Sequence, residues 1–584
     1  MKRFLFSVTF LLASANLFAA IVSPGKAESV ASRFLNGNQV VKSGMNTLSL
    51  VENSVLTKSS DAPTYYIYNR KGGGFVIVSA DDCAKPVLAY SKTGSFSTKN
   101  MPDNLRSWLC FLDEEIRYAR SVGGARSPLW DDVKTAGSPV VELSTALWDQ
   151  TAPFNDMCPE VGGKKTVTGC VATAAAIICK YYNWPERGKG TTRSYTAGDI
   201  SVPSRNLDHP YDYSLMRDDN YRTYSKEEAE SVALLMADMG AACEMNYGTS
   251  ESSASTLDMA LALAKNFSYS KAMIYRARSG YSEEEWRQMI IDELNESHPL
   301  IYGGRSASGG GHQFILDGYD NENFYHFNWG WSGSSNGYFQ LSALSAGGYN
   351  LTSGQDAVFN AVPDRDESTS YVDNLYIFSY TVEGREYPGL SLSSAGPVYP
   401  GVPFYVDLCS VYNSGLLNFN GNAWIAVCDK KGNLKEKVSP AIEVSLNPYY
   451  LSWNLGVKCE IKGIIEGGDK LKVYYEGGLS SGWCRAWGES TVAEILLKEK
   501  DTLSPDEISH TTSFEINRKT KSLLLAPKYK IHYELKPETG GATVVEGDAD
   551  AENAANLSYA SITPGSYYLS LSAGEEPLVI NVIF

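Results

Sequence analysis

The stretch TGCVATAAAIICKYYNWP, residues 168–185, holds two cysteines in different chemical settings. Cys170 follows Thr168 and Gly169 and opens a run of alanines and isoleucines that reads as a buried helix. A cysteine at a helix start meets the unpaired N–H groups of the first turn, which favour the thiolate. Cys179 falls further along, inside the helix, where nothing activates it. Packing is the ordinary fate of a free cysteine. Reading Cys170 as a nucleophile therefore requires partners elsewhere: a base, a group that orients the base, and donors for the oxyanion.

The chain has six histidines, His209, His298, His312, His326, His510 and His532. His312 follows SASGGG, a run largely without side chains that a substrate backbone could approach, and starts the strand HQFILDGYD. His326 lies mid-strand in NFYHFNWGW and reads as a buried, hydrogen-bonded structural histidine. On its own, His312 is open to both a catalytic and a structural reading. Asn328 and Trp329 follow in the next strand. An Asn amide can accept from an imidazole N–H and hold its tautomer, and an indole over that bond would keep water out. The alternative for the tryptophan is one more ring on an aromatic sheet face. Gln150, in ALWDQTAPFN ahead of the Cys170 helix, is the kind of amide donor that can line an oxyanion hole. Alone it means nothing.

The elements that must position these groups are legible in part. NLRSWLCFLDEEIRYARSV reads as a strong helix, with Leu105, Leu109, Leu112 and Ile116 at helical spacing. TYYIYNR and GFVIVSA read as a hairpin around the glycines at 72–74. GGARSPLWDDVKTAGSP, residues 123–139, reads as an exposed linker suited to a processing cut. Two more helices follow the Cys170 helix, and SEEEWRQMIIDELNE opens with a Ser282/Glu285 capping box. The strands PLIYGGR, HQFILDGYD, NFYHFNWGW and GYFQLSAL come after them. Helices first and an antiparallel sheet afterwards predict an α+β domain split into a helical half and a strand-rich half. Beyond about residue 370, short strands between Pro, Gly and Asn turns predict β-sandwich modules, with a break near 501–509.

At 584 residues the chain is too long for one core. Its net charge of −16, with no compensating basic run, argues against nucleic acid and anionic membranes as partners. MKRFLFSVTFLLASANLFAA has the basic start, apolar run and small residues of a secretory signal, which predicts an exported protein. The run is shorter than the ~20 apolar residues of a spanning helix. Ten cysteines without CxxC or a ligand-spaced Cys/His cluster call for no metal, and no motif calls for a cofactor.

TGCVATAAAIICKYYNWPERGKGT, GGGHQFILDGYDNENFYHFNWGWSGSSNGYFQLSAL and WDQTAPFN together resemble the streptopain family of papain-like cysteine peptidases, including interpain-type enzymes. GFVIVSADDCAKPVLAYSKTGSF is similar to the family's inhibitory prodomain. The leader's layout predicts a signal peptide over 1–19, and the resemblance implies a prodomain over 20–137 and a papain-like domain over 138–363. An Ig-like β-sandwich over 370–500 and a small β-module over 505–584 lie outside it. It implies Cys170 as nucleophile, His312 as general base and acid, and Gln150 as oxyanion donor alongside the Cys170 N–H. Asn328 would orient the imidazole under Trp329, while Gly311 and Ser253 would bind substrate backbone. The function implied is a secreted endopeptidase made as a zymogen, with its prodomain as inhibitor, protein or peptide substrates, and an apolar residue preferred at P2. The C-terminal modules could attach it to a cell surface. Two rivals are a transglutaminase-like acyl transferase and a non-catalytic adhesin or inhibitor on the same fold.

Overall fold

The computed structural model describes residues 20–37, 47–51, 62–99, 101–305, 311–344, 354–382, 385–394, 398–448, 450–480, 482–488, 490–497, 505–550, 552–573 and 576–584. The leader at 1–19 and the glycines at 309 and 310 lie outside these. The chain divides into two compact units, Met1–Ser370 and Tyr371–Phe584.

The first unit begins with helix α1, Pro24–Asn36. Ser23 caps its start by accepting from the Lys26 N–H, and Gly37, at φ +61°, ends it. Four strands follow: β1 (Leu48–Val51), β2 (Tyr65–Arg70), β3 (Phe75–Ser79) and β4 (Val87–Ser91). β2 and β3 form the expected antiparallel hairpin. Helix α2, Asp103–Ser121, buries the stripe Leu105, Trp108, Leu109, Leu112 and Ile116, as its 3.6-residue spacing requires. The segment that follows is not the wholly exposed linker expected. Trp130 and Val133 are buried, and the Trp130 indole donates to the Ala84 carbonyl at 2.8 Å. Its backbone is held as well, with the Ser127 N–H donating to the Asp82 carbonyl at 2.7 Å and the Ala136 N–H to the Phe34 carbonyl at 2.8 Å. Lys134, Thr135 and Ser138 stay exposed.

Strand β5 (Pro139–Glu142) then leads to helix α3, Cys170–Tyr182, whose first ten residues are all buried. A helix apolar on every side has to be wrapped by its neighbours. Helices α4 (Lys226–Ala242) and α5 (Thr256–Asn266) pack against it to complete the helical half. The sequence reading passed over α5. The sheet half contains β6 (Ile274–Ala277), α6 (Glu283–Asn295), β7 (Leu300–Arg305), β8 (Gly311–Asp320), β9 (Tyr325–Asn328), β10 (Gly337–Phe339) and β11 (Gln355–Phe359). The Ser282/Glu285 capping box of α6 is formed on both sides.

All eleven strands belong to one sheet, in the order β1-β2-β3-β4-β10-β9-β8-β7-β11-β6, with β5 paired to the end of β8. The N-terminal strands are thus continuous with those that follow. β4 pairs with β10 through Tyr90–Tyr338 and Ala89–Phe339. Residues 313–318 of β8 are buried on both faces. Leu300, Tyr302, Phe314 and Leu316 share a core with α2 and α6, while α3 packs against the same strand.

Among its described residues the second unit holds two large apolar cores and a small cluster of Ala426, Cys428 and Tyr474. One lies between strands such as Phe404–Asn413 and Phe419–Cys428 and includes Val406, Leu408, Ile425 and Val473. The other gathers Ile508, Leu523, Leu525, Leu535, Leu569 and Leu571. Among the described residues, no helix is long and apolar enough to cross a membrane.

Candidate active site

Cys170 is the first residue of α3, and the residue before it is Gly169 at φ +87°. A Cβ at Gly169 would lie 2.7 Å from the Met245 sulfur and 3.0 Å from the Ser252 carbonyl. Glycine is therefore required both for the turn and for the close approach of the 245–253 loop. No side chain caps the helix, so its first amides are free for the thiol. The Cys170 Sγ accepts from the Gln313 backbone N–H at 3.5 Å, which brings α3 against the start of β8. His312 is the residue before Gln313, so the structure sets the predicted thiol and imidazole on facing elements.

Burial acts against the charged form of both groups. Burial raises the Cys170 thiol above its ordinary value and outweighs the Gln313, Val171 and Cys170 amides that lower it, while Asp103 raises it further. Burial lowers His312, against the opposing fields of Asp103 and Glu251. A thiolate–imidazolium pair would shift each group the other way. Among the described residues, no hydrogen bond engages the His312 ring.

Helix α2 lies beside the pair. Asp103, in its first turn, raises both groups, which opposes the thiolate at Cys170 but favours the charged form of His312. The neighbouring Asn104 donates its Nδ2 to the Trp329 carbonyl and also, at 3.5 Å, to the Gln313 carbonyl. Sequence reasoning missed both residues. A short polar side chain at a helix start carries no signal of a distant strand.

The remaining candidates are distributed unevenly. Gln150 is buried, and its backbone is fixed by the Thr168 N–H donating to its carbonyl at 3.1 Å. Its side-chain amide is engaged by no other described residue. Asn328 is not brought to His312 here. Its Nδ2 donates to Thr145 Oγ1 and the Ala146 carbonyl, both at 2.9 Å. Its Oδ1 accepts from the Gly330 N–H and Asn336 Nδ2, both at 3.2 Å. Trp329 packs into the core against Phe314, Phe327 and Phe339, and its indole donates to the Ser335 carbonyl. Gly311 is exposed at the head of β8. Ser253 is exposed and bridges to Asn246 through backbone bonds. Cys179 is fully buried, and its thiol is pushed up to about 12 by burial.

The contact of α2 with the strand-rich half also contains a buried carboxylate. Glu115 accepts from the Ala343 N–H at 2.6 Å and from Ser342 Oγ at 2.9 Å. Burial pushes its carboxyl up to about 7, against the lowering effect of these bonds, Arg278 and Lys85. A raised folded-state pKa gives stability that is present below the unfolded value and lost as pH rises towards 7. In a self-processing-deficient full chain, thermal unfolding should therefore show wild type gaining on Glu115→Gln as pH falls from 7 to 4.5. Parallel pH curves for the two proteins would contradict this.

A cysteine opening the central helix of a helical half, set against a histidine-bearing strand of an antiparallel half, is the arrangement of papain-like cysteine peptidases. A family model described as the Peptidase C10 family matches residues 148–339, and one described as Spi protease inhibitor matches residues 19–116. The thiol protease/hemagglutinin PrtT of Porphyromonas gingivalis is 30% identical over 408 residues, 66% of this chain and 47% of that protein. The chain thus spans about half the length of that relative. Streptopain of Streptococcus pyogenes is 33% identical over 315 residues, 49% of this chain and 78% of that protein. A solved fragment of Prevotella intermedia prointerpain A is 31% identical, covers 54% of this chain and 99% of its own, and superposes with a TM-score of 0.45. Active interpain A from the same organism gives 33% identity, 38% and 93% coverage and a TM-score of 0.34. The chain belongs to the Peptidase C10, or streptopain, family of cysteine peptidases, and it carries the inhibitor-type segment ahead of the peptidase region.

Proposed function

We propose that the protein is an exported cysteine endopeptidase, held latent by residues 20–137 and released by cleavage within 123–139, with a mature start around Ser138. The observation that carries this reading is the docking of α2. It brings the field of Asp103 to Cys170 and His312 and bonds Asn104 to the carbonyls of Gln313 and Trp329, the residues that follow His312 and Asn328. The exposed positions Lys134, Thr135 and Ser138, between the anchors Val133 and β5, are where a peptidase could reach the strap.

Once α2 leaves, the negative field of Asp103 goes with it and the cleft opens to water. His312 then takes the Cys170 proton, and the first-turn amides of α3 favour the thiolate. The thiolate attacks a peptide carbonyl, while the Cys170 N–H and the Gln150 amide donate to the oxyanion. The imidazolium gives its proton to the leaving amine, and the acyl-enzyme forms as the C–N bond breaks. His312 next takes a proton from water. The hydroxide attacks the thioester, and the sulfur departs as the product acid forms. Gly311 and Ser253 would hold substrate backbone. An orienting role for Asn328 would use its Oδ1, which here accepts from the Gly330 N–H and Asn336 Nδ2.

Incubation of the purified chain alone, followed by mass spectrometry, should give a new terminus within 123–139 and a residue at P2 that reports specificity. Prior alkylation with iodoacetamide should prevent the cut. A stable, uncut chain that stays silent after the segment is removed by another protease would defeat the reading.

A further inference from the structure

A second histidine stands on the strand that carries Asn328, and its contacts end at the same asparagine. His326 Nδ1 is 2.5 Å from Asp317 Oδ1. Asp317 is buried on β8, the strand that starts with Gly311 and His312. Its other oxygen accepts from Thr145 Oγ1 at 2.5 Å, and Thr145 Oγ1 accepts from Asn328 Nδ2.

These bonds have a fixed direction. The Thr145 hydroxyl donates to the Asp317 carboxylate oxygen. Its lone pairs then face Asn328, which must present its NH2 there. The amide oxygen is thereby turned towards Gly330 and Asn336. Burial, the largest single effect on His326, lowers it, but Asp317 and Glu142 together raise it above its ordinary value.

Thr145 also begins the approach to Gln150. The Ala146 carbonyl is held by Asn328 Nδ2 at 2.9 Å. The Trp148 carbonyl accepts from the Ser332 N–H at 2.9 Å, and Asp149 accepts from Ser332 Oγ at 2.7 Å. Residues 145–149 are thus tied at several points to the strand end and turn that follow Asn328. This segment enters from β5, which pairs with β8 at Gly318.

We propose that Thr145, Asp317 and His326 form a positioning network which, through Thr145, holds both the Asn328 amide and the segment carrying Gln150. Its integrity sets turnover more than substrate affinity. The inference rests on the peptidase reading above. None of the three residues touches substrate; each acts through another.

The test uses the full chain after maturation, with active sites counted by iodoacetamide titration and kcat and KM measured separately on a peptide substrate. Thr145→Val, which keeps the shape and removes the hydroxyl, should lower kcat roughly tenfold to a hundredfold, the scale of a misplacement near 1 Å, with KM nearly unchanged. Thr145→Ser should restore most of the loss, and His326→Gln should lower kcat in the same sense. A kcat equal to wild type in Thr145→Val, even with a lowered Tm, overturns the proposal. If Thr145→Val does not fold, an unchanged kcat in His326→Gln does the same. Wild-type activity that survives full alkylation would instead defeat the peptidase reading itself, which separates the two failures.

Discussion

Cys170→Ala is expected to abolish both peptide hydrolysis and self-processing while leaving the chain folded. Removal of a nucleophile costs on the order of 10⁶-fold in kcat in hydrolases of this mechanistic type. Folding should tolerate the change well. Alanine is the strongest helix former, and the bond the sulfur gives up from the Gln313 N–H is long, at 3.5 Å. Candidate replacements for the lost thiol are poor. Cys158 and Cys179 are both buried, and burial pushes each thiol up to about 12, so almost no thiolate forms at neutral pH. The measurements are hydrolysis of a peptide by the variant after cleavage by another protease, its intact mass after incubation alone, and its circular dichroism. Residual activity that iodoacetamide removes would mean that another cysteine reacts, and the assignment of Cys170 would fall.

Trp108→Ala should have the second-largest effect, on latency. Trp108 is nearly fully buried and meets Phe327, Phe314 and Tyr302 edge-on, with ring centroids at 5.1, 5.8 and 6.3 Å. Strand β7 is shaped to it: a Cβ at Gly304 would come within 3.0 Å of the indole. Deleting a buried tryptophan costs about 3–5 kcal/mol. That cost falls on the surface joining α2 to β7, β8 and β9, four residues along the helix from Asn104. The uncut variant should unfold at a lower temperature, hydrolyse a small peptide before any cut, and process itself faster than wild type. Gly304→Ala, which crowds the same ring from the strand side, should act in the same direction. Equal silence of the uncut chains and equal processing rates would show that α2 docking does not control access.

Local signals account for much of the architecture. The Leu105–Ile116 stripe, the Ser282/Glu285 box and the turn at 72–74 each specify an element within a few residues, because caps, turns and periodicity are short-range. The strap at 123–139 is exposed over most of its length, as its composition predicts, but its anchors are not legible, for the opposite reason. Its Gly, Ser and Pro content describes the backbone, whereas Trp130 and Val133 are buried by partners distant in sequence, Ala84 among them. Helix α5 was overlooked beside the stronger patterns of its neighbours.

The site divides along the same line. From the sequence alone came the residue types and their local placement: Cys170 at a helix start after a glycine, His312 at a strand start after a glycine run, and Gln150 ahead of the helix. Those are covalent and short-range properties. Only the tertiary structure decided the directions in which the two groups shift, because the burial that dominates both and the field of Asp103 come from elements remote in sequence. It also decided that Asn328 bonds to Thr145 and Ala146 in the latent state, that Asp317 and His326 share the strands of Asn328 and His312, and that the inhibitory segment extends the peptidase's own sheet. Protonation and hydrogen-bond direction depend on what lies within a few ångströms in space, and the distance along the chain does not contain that information.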